Sequence, residues 1–161
     1  MGLWGSWVQI SPPRPTVSIQ KVILVTAVIT LSEIRKLSKI LKKKEMIFKF
    51  YRSNLSEIKQ ISFMKPEKLN KPVYWFSNII LKEKRELQKY LLKKGIQTRD
   101  IFYPLNKQPC FKNKKYIKNI SYSFKNSEII YKSGLSLPSH YNLSKTDLNY
   151  VVKVIKNFFK S

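Results

Sequence analysis

Residues 134–160 read GLSLPSHYNLSKTDLNYVVKVIKNFFK, and they carry two structural signals in succession. GLSLPS at 134–139 is a short apolar run closed by Pro138, which reads as a strand that cannot be extended. LSKTDLNYVVKVIKNFFK at 143–160 then switches to a helical period. Leu148, Val151, Val152, Ile155 and Phe159 fall on one stripe, which predicts the buried face of an amphipathic helix. Ser144 is placed to cap that helix, and Asp147 three residues on completes a weaker form of the capping box. A strand followed by a covering helix is the repeating theme of the chain.

Working back from there, residues 125–132 have the length and pattern of a short helix. GIQTRDIFYPLNKQPCF at 95–111 begins at Gly95, the expected C-terminal cap of a preceding helix, because glycine takes the left-handed conformation without strain. IQTRDIFY then alternates as a strand, with Ile96, Thr98, Asp100 and Phe102 opposite Gln97, Arg99, Ile101 and Tyr103. Pro104 fixes a turn. EKRELQKYLLKK at 83–94 is an amphipathic helix with Leu87, Tyr90, Leu91 and Lys94 near one stripe. VYWFSNIIL at 73–81 is aromatic and β-branched and reads as a strand. Residues 57–65 form a connector, and Pro66 and Pro72 bracket a loop. Ile34, Leu37, Leu41, Phe48, Tyr51 and Leu55 recur at three- and four-residue steps and predict a long helix over 31–54, with Lys42 to Lys44 mainly on its other side. VILVTAVITL at 22–31 is about half of what a bilayer span requires, so it reads as a buried strand or helix start and not as a membrane anchor. The resulting order, α-β-α-β-α-β-α, predicts an α+β domain in which helices cover a small antiparallel or mixed sheet, preceded by a long amphipathic helix.

The first fifteen residues, MGLWGSWVQISPPRP, hold two Trp and three Pro and no Lys. They lack the basic start and apolar middle of a signal peptide. Val-Gln-Ile is one translation of a string typical of a transfer-RNA T arm. We therefore expect residues 1–25 to be an aberrant, disordered leader read from non-coding DNA, and residues 26–161 to form the domain proper, with its α/β core over 70–160.

At 161 residues the chain has room for one ordinary core. Its single cysteine, Cys110, cannot form an intrachain disulfide, which points to a reducing, cytoplasmic setting. With His140 as the sole histidine and no zinc-like spacing, a histidine relay or a metal site is not expected. The net charge of +23 would suit an anionic partner. Yet only five of the 32 basic residues are Arg, and the lysines are spread over nearly the whole chain. That distribution predicts a solvated lysine surface and weak, sequence-blind binding to nucleic acid. KNKKYIKN at 112–119 interleaves lysine with Tyr116, but no nucleic-acid module is recognisable.

Three segments together resemble the DegT/DnrJ/StrS family of sugar aminotransferases. GIQTRDIFYPLNKQPCF is similar to the family's GI-x-T-R-x-x-Y-x-P-L-H-x-Q-P-x-F string. GLSLPSHYNLSKTDLNYVVKVIKNFF resembles its ending, and TAVITLSEIRKLSKILKKKEMIFKFY resembles the long helix that follows its large domain. The matches are in the family's order over roughly residues 26–160, and the GDP-perosamine-synthase-like members are the most similar. The resemblance implies the C-terminal small domain of a fold-type I aminotransferase. Family members use pyridoxal phosphate (PLP) on a lysine of a large N-terminal domain to move an amino group from glutamate to a 4-keto-6-deoxy nucleotide sugar for lipopolysaccharide and other surface polysaccharides.

Several expectations follow from that resemblance. Arg99, Tyr103, Asn106 and Gln108 become substrate-binding candidates, Arg99 because a guanidinium matches phosphate geometry. Asn106 departs from the family, which usually has His there; Asn can hydrogen-bond but cannot serve as an acid or base near neutral pH. No stretch resembles the Schiff-base lysine segment. No catalytic or cofactor-binding residue is therefore assigned, PLP is not expected to attach covalently, and the chain alone is expected to be an inactive fragment. Helix 31–54, which would lie against the large domain, is expected to present Ile34, Leu37, Leu41 and Phe48 and to drive self-association. The alternative is a small basic module that binds nucleic acid or a nucleotide.

Overall fold

The computed structural model describes residues 19–64, 66, 69–111 and 124–160. The elements in chain order are α1 (Ile19–Leu55), β1 (Ser62–Phe63), β2 (Ser77–Ile80), α2 (Lys84–Lys93), β3 (Arg99–Asp100), two 3-10 turns (Leu105–Lys107 and Pro109–Phe111), α3 (Lys125–Ser133), β4 (Gly134–Leu137) and α4 (Lys145–Phe158). The expected leader over 1–25 lies outside the described residues up to position 18, as does the lysine-rich 112–119 stretch. The chain divides into two units between Ser38 and Lys39.

In the second unit the strands form one antiparallel sheet in the order β1-β2-β4-β3. The α+β expectation is met, and the sheet is antiparallel, not mixed. Register sorts the side chains. Leu135 faces Ile79 and Leu137 faces Ser77, while Ser136 sits opposite both Asn78 and Arg99. Residues directly opposite share a sheet face, so one face carries Ile79, Leu135 and Leu137 with Ser77 and Asp100, and the other carries Asn78, Ser136 and Arg99. Leu135, Ile79, Leu87, Leu91 and Ile155 have no exposed surface, and they join Ile47, Tyr51 and Leu55 of α1 in one core.

Local chemistry explains the helix ends. Ser144 and Asp147 form a reciprocal capping box at the start of α4: the Asp147 amide donates to Ser144 Oγ at 3.1 Å, and the Ser144 amide donates to Asp147 Oδ2 at 2.9 Å. The Ser144 hydroxyl also donates to Asp147 Oδ2 at 2.7 Å, and that bond, together with the Ser144 amide's, holds the Asp147 carboxyl below its usual value. At the end of α2, Gly95 has φ 75°, with the Gly95 amide donating to Leu92 O and the Ile96 amide to Leu91 O. That pair is a Schellman motif, and its hydrophobic contact is supplied by Ile96 and Leu91, both core residues.

The structure corrects four sequence expectations. The 22–31 run is not buried: it is part of α1, and Val22, Ile23, Leu24, Val25, Val28, Ile29 and Leu31 are all exposed. Ile34, Leu37 and Leu41 are exposed as expected, but Phe48 is buried and stacks on Tyr74 at 4.2 Å. The strand read over 96–103 pairs only at Arg99 and Asp100, because β4 offers it just Ser136 and Leu135. Ser62 and Phe63, read as connector, pair with β2 as an edge strand.

Candidate functional site

Two concavities meet at the free edge of the sheet. The larger has a volume of about 530 Å³, with Phe76, Ile96, Leu137 and Val151 as apolar lining and Lys44, Gln97, Arg99, His140 and Tyr150 as polar lining. The smaller, about 100 Å³, is bounded by Asn78, Asp100, Ile101 and Phe102. Phe76, Arg99 and Ser136 line both. Arg99 is exposed and has no hydrogen-bond or ion-pair partner among the described residues. Its guanidinium is thus free to meet an anion. Trp75, 64% exposed, and Phe102, 73% exposed, extend an aromatic cluster with Phe76 beside it; Trp75 and Phe76 stack at 4.9 Å.

Lys44 forms part of the larger concavity by holding two strand ends together. Its ammonium donates to Trp75 O at 3.0 Å and to Ser139 O at 2.6 Å, and desolvation lowers its pKa. Tyr51 helps by donating its hydroxyl to Pro138 O at 2.9 Å, and burial pushes that hydroxyl's pKa up. Helix periodicity had set Lys44 on the outer side of its helix. A long lysine stem can reach past that boundary, and two backbone carbonyls give the ammonium its reason to do so.

The other three candidates stand on the loop after β3. Tyr103 is 45% exposed and meets Tyr131 edge-on at 5.0 Å. Pro104 is buried and starts the first 3-10 turn. Asn106 and Gln108 are half-buried; the Asn106 side chain makes no hydrogen bond among the described residues, and Gln108 Oε1 has only a 3.9 Å contact from Cys110 Sγ. Lys107 pairs with Glu128 at 3.0 Å and ties the loop to α3. Tyr103, Asn106 and Gln108 are therefore brought together on one loop, whereas none of them lines the concavities that hold Arg99.

A Schiff-base lysine needs a free amine, and neither Lys44, engaged by two carbonyls, nor Lys84, engaged by Tyr131 O and Asp100, offers one. Among the described residues no group of three or more His, Cys, Asp or Glu is placed to hold a metal ion, and no helix is long and apolar enough to cross a membrane.

The chain is 28% identical over 138 residues to GDP-perosamine synthase of Escherichia coli O157:H7, covering 84% of this chain and 36% of that protein. The chain thus spans about a third of that relative's length. Among solved structures it resembles the Streptomyces venezuelae enzyme DesV in complex with a ketimine intermediate, with a TM-score of 0.71 and 18% identity over 80% of this chain and 34% of that one. A DegT DnrJ EryC1 StrS aminotransferase from Brucella abortus gives a TM-score of 0.68 at 22% identity, covering 81% and 34%. PseC of Helicobacter pylori, an aminotransferase of pseudaminic acid biosynthesis, gives 0.67 at 18%, covering 81% and 35%. At these identities the structural matches establish the fold. The sequence match of residues 21–156 goes further: the chain belongs to the DegT/DnrJ/EryC1/StrS aminotransferase family.

Proposed function

We propose that residues 26–161 serve as the C-terminal small domain of a cytoplasmic nucleotide-sugar aminotransferase. The parent reaction moves an amino group from glutamate to a 4-keto-6-deoxy nucleotide sugar for surface polysaccharide, and the perosamine branch is the best supported by the relative named above. PLP supplies the electron sink for that exchange when bound, and on this reading its lysine lies outside the family-matched residues. This chain contributes to substrate binding: Arg99 meets the diphosphate, and Tyr103, Asn106 and Gln108 border the sugar. Asn106 can orient a hydroxyl but cannot carry a proton for the reaction. Alone, the chain is inactive.

The observation that carries this reading is the family match over residues 21–156, which includes the loop and the strand edge bearing all four candidates. A graft tests it. Residues 26–160 replace the corresponding third of the E. coli GDP-perosamine synthase, and PLP loading and amino transfer are followed. We expect a chimera that loads PLP and aminates the GDP-linked keto sugar, with Arg99→Gln raising KM more than it lowers kcat. A folded, PLP-loaded chimera that transfers nothing to any nucleotide sugar would overturn the proposal.

A further inference from the structure

Lys84 is, among the described residues, the only charged side chain in the buried class, at 1% exposure. It lies on the first turn of α2 yet points into the protein. Its ammonium donates to Tyr131 O at 2.7 Å, pairs with Asp100 Oδ1 at 2.9 Å and lies 5.2 Å from the centre of the Tyr131 ring. One ammonium thus joins three elements: α2, the end of β3 and α3. Arg85 adds an outer contact to Asp100 Oδ2 at 3.2 Å.

What these contacts hold is the root of the loop bearing Tyr103, Asn106 and Gln108. Asp100 is fixed by Lys84. The next side chain, Ile101, fills the notch left by Gly134, where any Cβ would collide with Ile101 and with the carbonyl of Ile130. Tyr103 then meets edge-on the ring of the same Tyr131 whose carbonyl accepts the Lys84 hydrogen bond. These three anchors within four residues leave the loop one register on α3. An ion pair with one buried partner is a poor source of net stability compared with apolar packing, but it is directional, and here that direction sets where the loop begins.

We propose that Lys84 is the positioning residue of the substrate loop, acting through Asp100 and Tyr131 to fix Tyr103, Asn106 and Gln108 for ligand contact. The claim rests on the reading that this loop meets substrate. Hydrogen exchange on the 161-residue chain tests the positioning. The probes are the Lys107, Gln108 and Phe111 amides, which are bonded within the loop to Pro104 O, Leu105 O and Gln108 O. Lys84→Met should speed their exchange about tenfold while leaving the 148–155 amides unchanged. Asp100→Ala should do the same. Asp100→Asn, which keeps an acceptor for the ammonium, should restore most of the protection. Unchanged loop exchange in Lys84→Met, or a uniform rise that includes 148–155, would overturn positioning in favour of bulk stability. Titration with GDP-mannose, whose sugar the loop residues would border, separates the two layers. Binding by the wild type that weakens in Lys84→Met and Asp100→Ala but not in Asp100→Asn supports the whole proposal. No GDP-mannose binding by a wild type with a protected loop would sink the substrate reading alone.

Discussion

The run VILVTAVITL at 22–31 and the strand GLSL at 134–137 are both rich in aliphatic side chains, and they end in opposite environments. Every residue of the strand is buried, with Leu135 at 0% exposure, while Ile23 and Leu24 in the run stand at 62% and 67%. By hydrophobicity alone the run is the better candidate for a core. The strand is buried because β2 and β3 flank it and α2 covers it. The run belongs to a separate unit whose described residues supply no such cover. Burial is a property of what arrives from elsewhere in the chain, and an apolar run with nothing to meet remains a liability toward association.

The largest effect that could break this comparison comes from equal truncations in the two regions. Leu135→Ala should cost about 2–5 kcal/mol, the range for a buried leucine that leaves a cavity. Leu24→Ala should stay within about 0.5 kcal/mol, as for exposed positions generally. Urea unfolding followed by circular dichroism reads both. Equal losses would mean that the run is covered in solution.

Association is the next test. We propose that the exposed faces of 22–31 and of Ile34, Leu37 and Leu41 drive self-association. Val25→Glu with Ile29→Glu, or Leu37→Glu alone, should then lower the apparent mass on size exclusion by a whole-number step. Wild type already eluting as a monomer at micromolar concentration would remove the proposal.

How much of this was legible in advance depended on how local each cause was. Helix α4 could be read almost residue by residue, because a capping box and a 3.6-residue stripe are both written within fourteen positions. Gly95 was legible for the same reason. Strand β1 was not: two residues carry no period, and only pairing with Ile79 and Ile80 makes Ser62 and Phe63 a strand. The inward turn of Lys84 was also hidden, since its acceptor Tyr131 O lies 47 positions away. The four site candidates were identified through family resemblance, but their separation was not: register places Arg99 beside Ser136, while the other three follow Pro104 onto the loop.

Acid should act first on the clamp at Asp100. Burial raises the Asp100 carboxyl, but the hydrogen bond and charge of Lys84, together with Arg85, outweigh it and leave its pKa lowered. A carboxyl depressed in the folded state adds stability that is present above its unfolded value, about 3.9, and is lost as pH falls through the folded value. The protection of the loop amides should therefore fall below about pH 4, and Asp100→Asn should flatten that dependence. An unchanged acid profile in Asp100→Asn would show that the carboxylate contributes nothing to the clamp.

The smallest effect sharpens the comparison most, because it holds the chemistry nearly fixed. Tyr51 and Thr26 each donate a hydroxyl to a backbone carbonyl, Pro138 O at 2.9 Å and Val22 O at 2.8 Å. Tyr51 is fully buried, and its acceptor closes β4; Thr26 is exposed on its helix. Tyr51→Phe leaves the part-buried Pro138 carbonyl without that donor and should cost about 0.5–1.5 kcal/mol. Thr26→Val removes a bond whose acceptor is already used by the helix and can meet solvent. The change should be nearly neutral, since back-bonding of this kind slightly destabilises helices. Thermal melts of the two variants side by side give the answer. A Thr26→Val loss as large as that of Tyr51→Phe would place the run in a water-excluded environment, against its exposure in this chain.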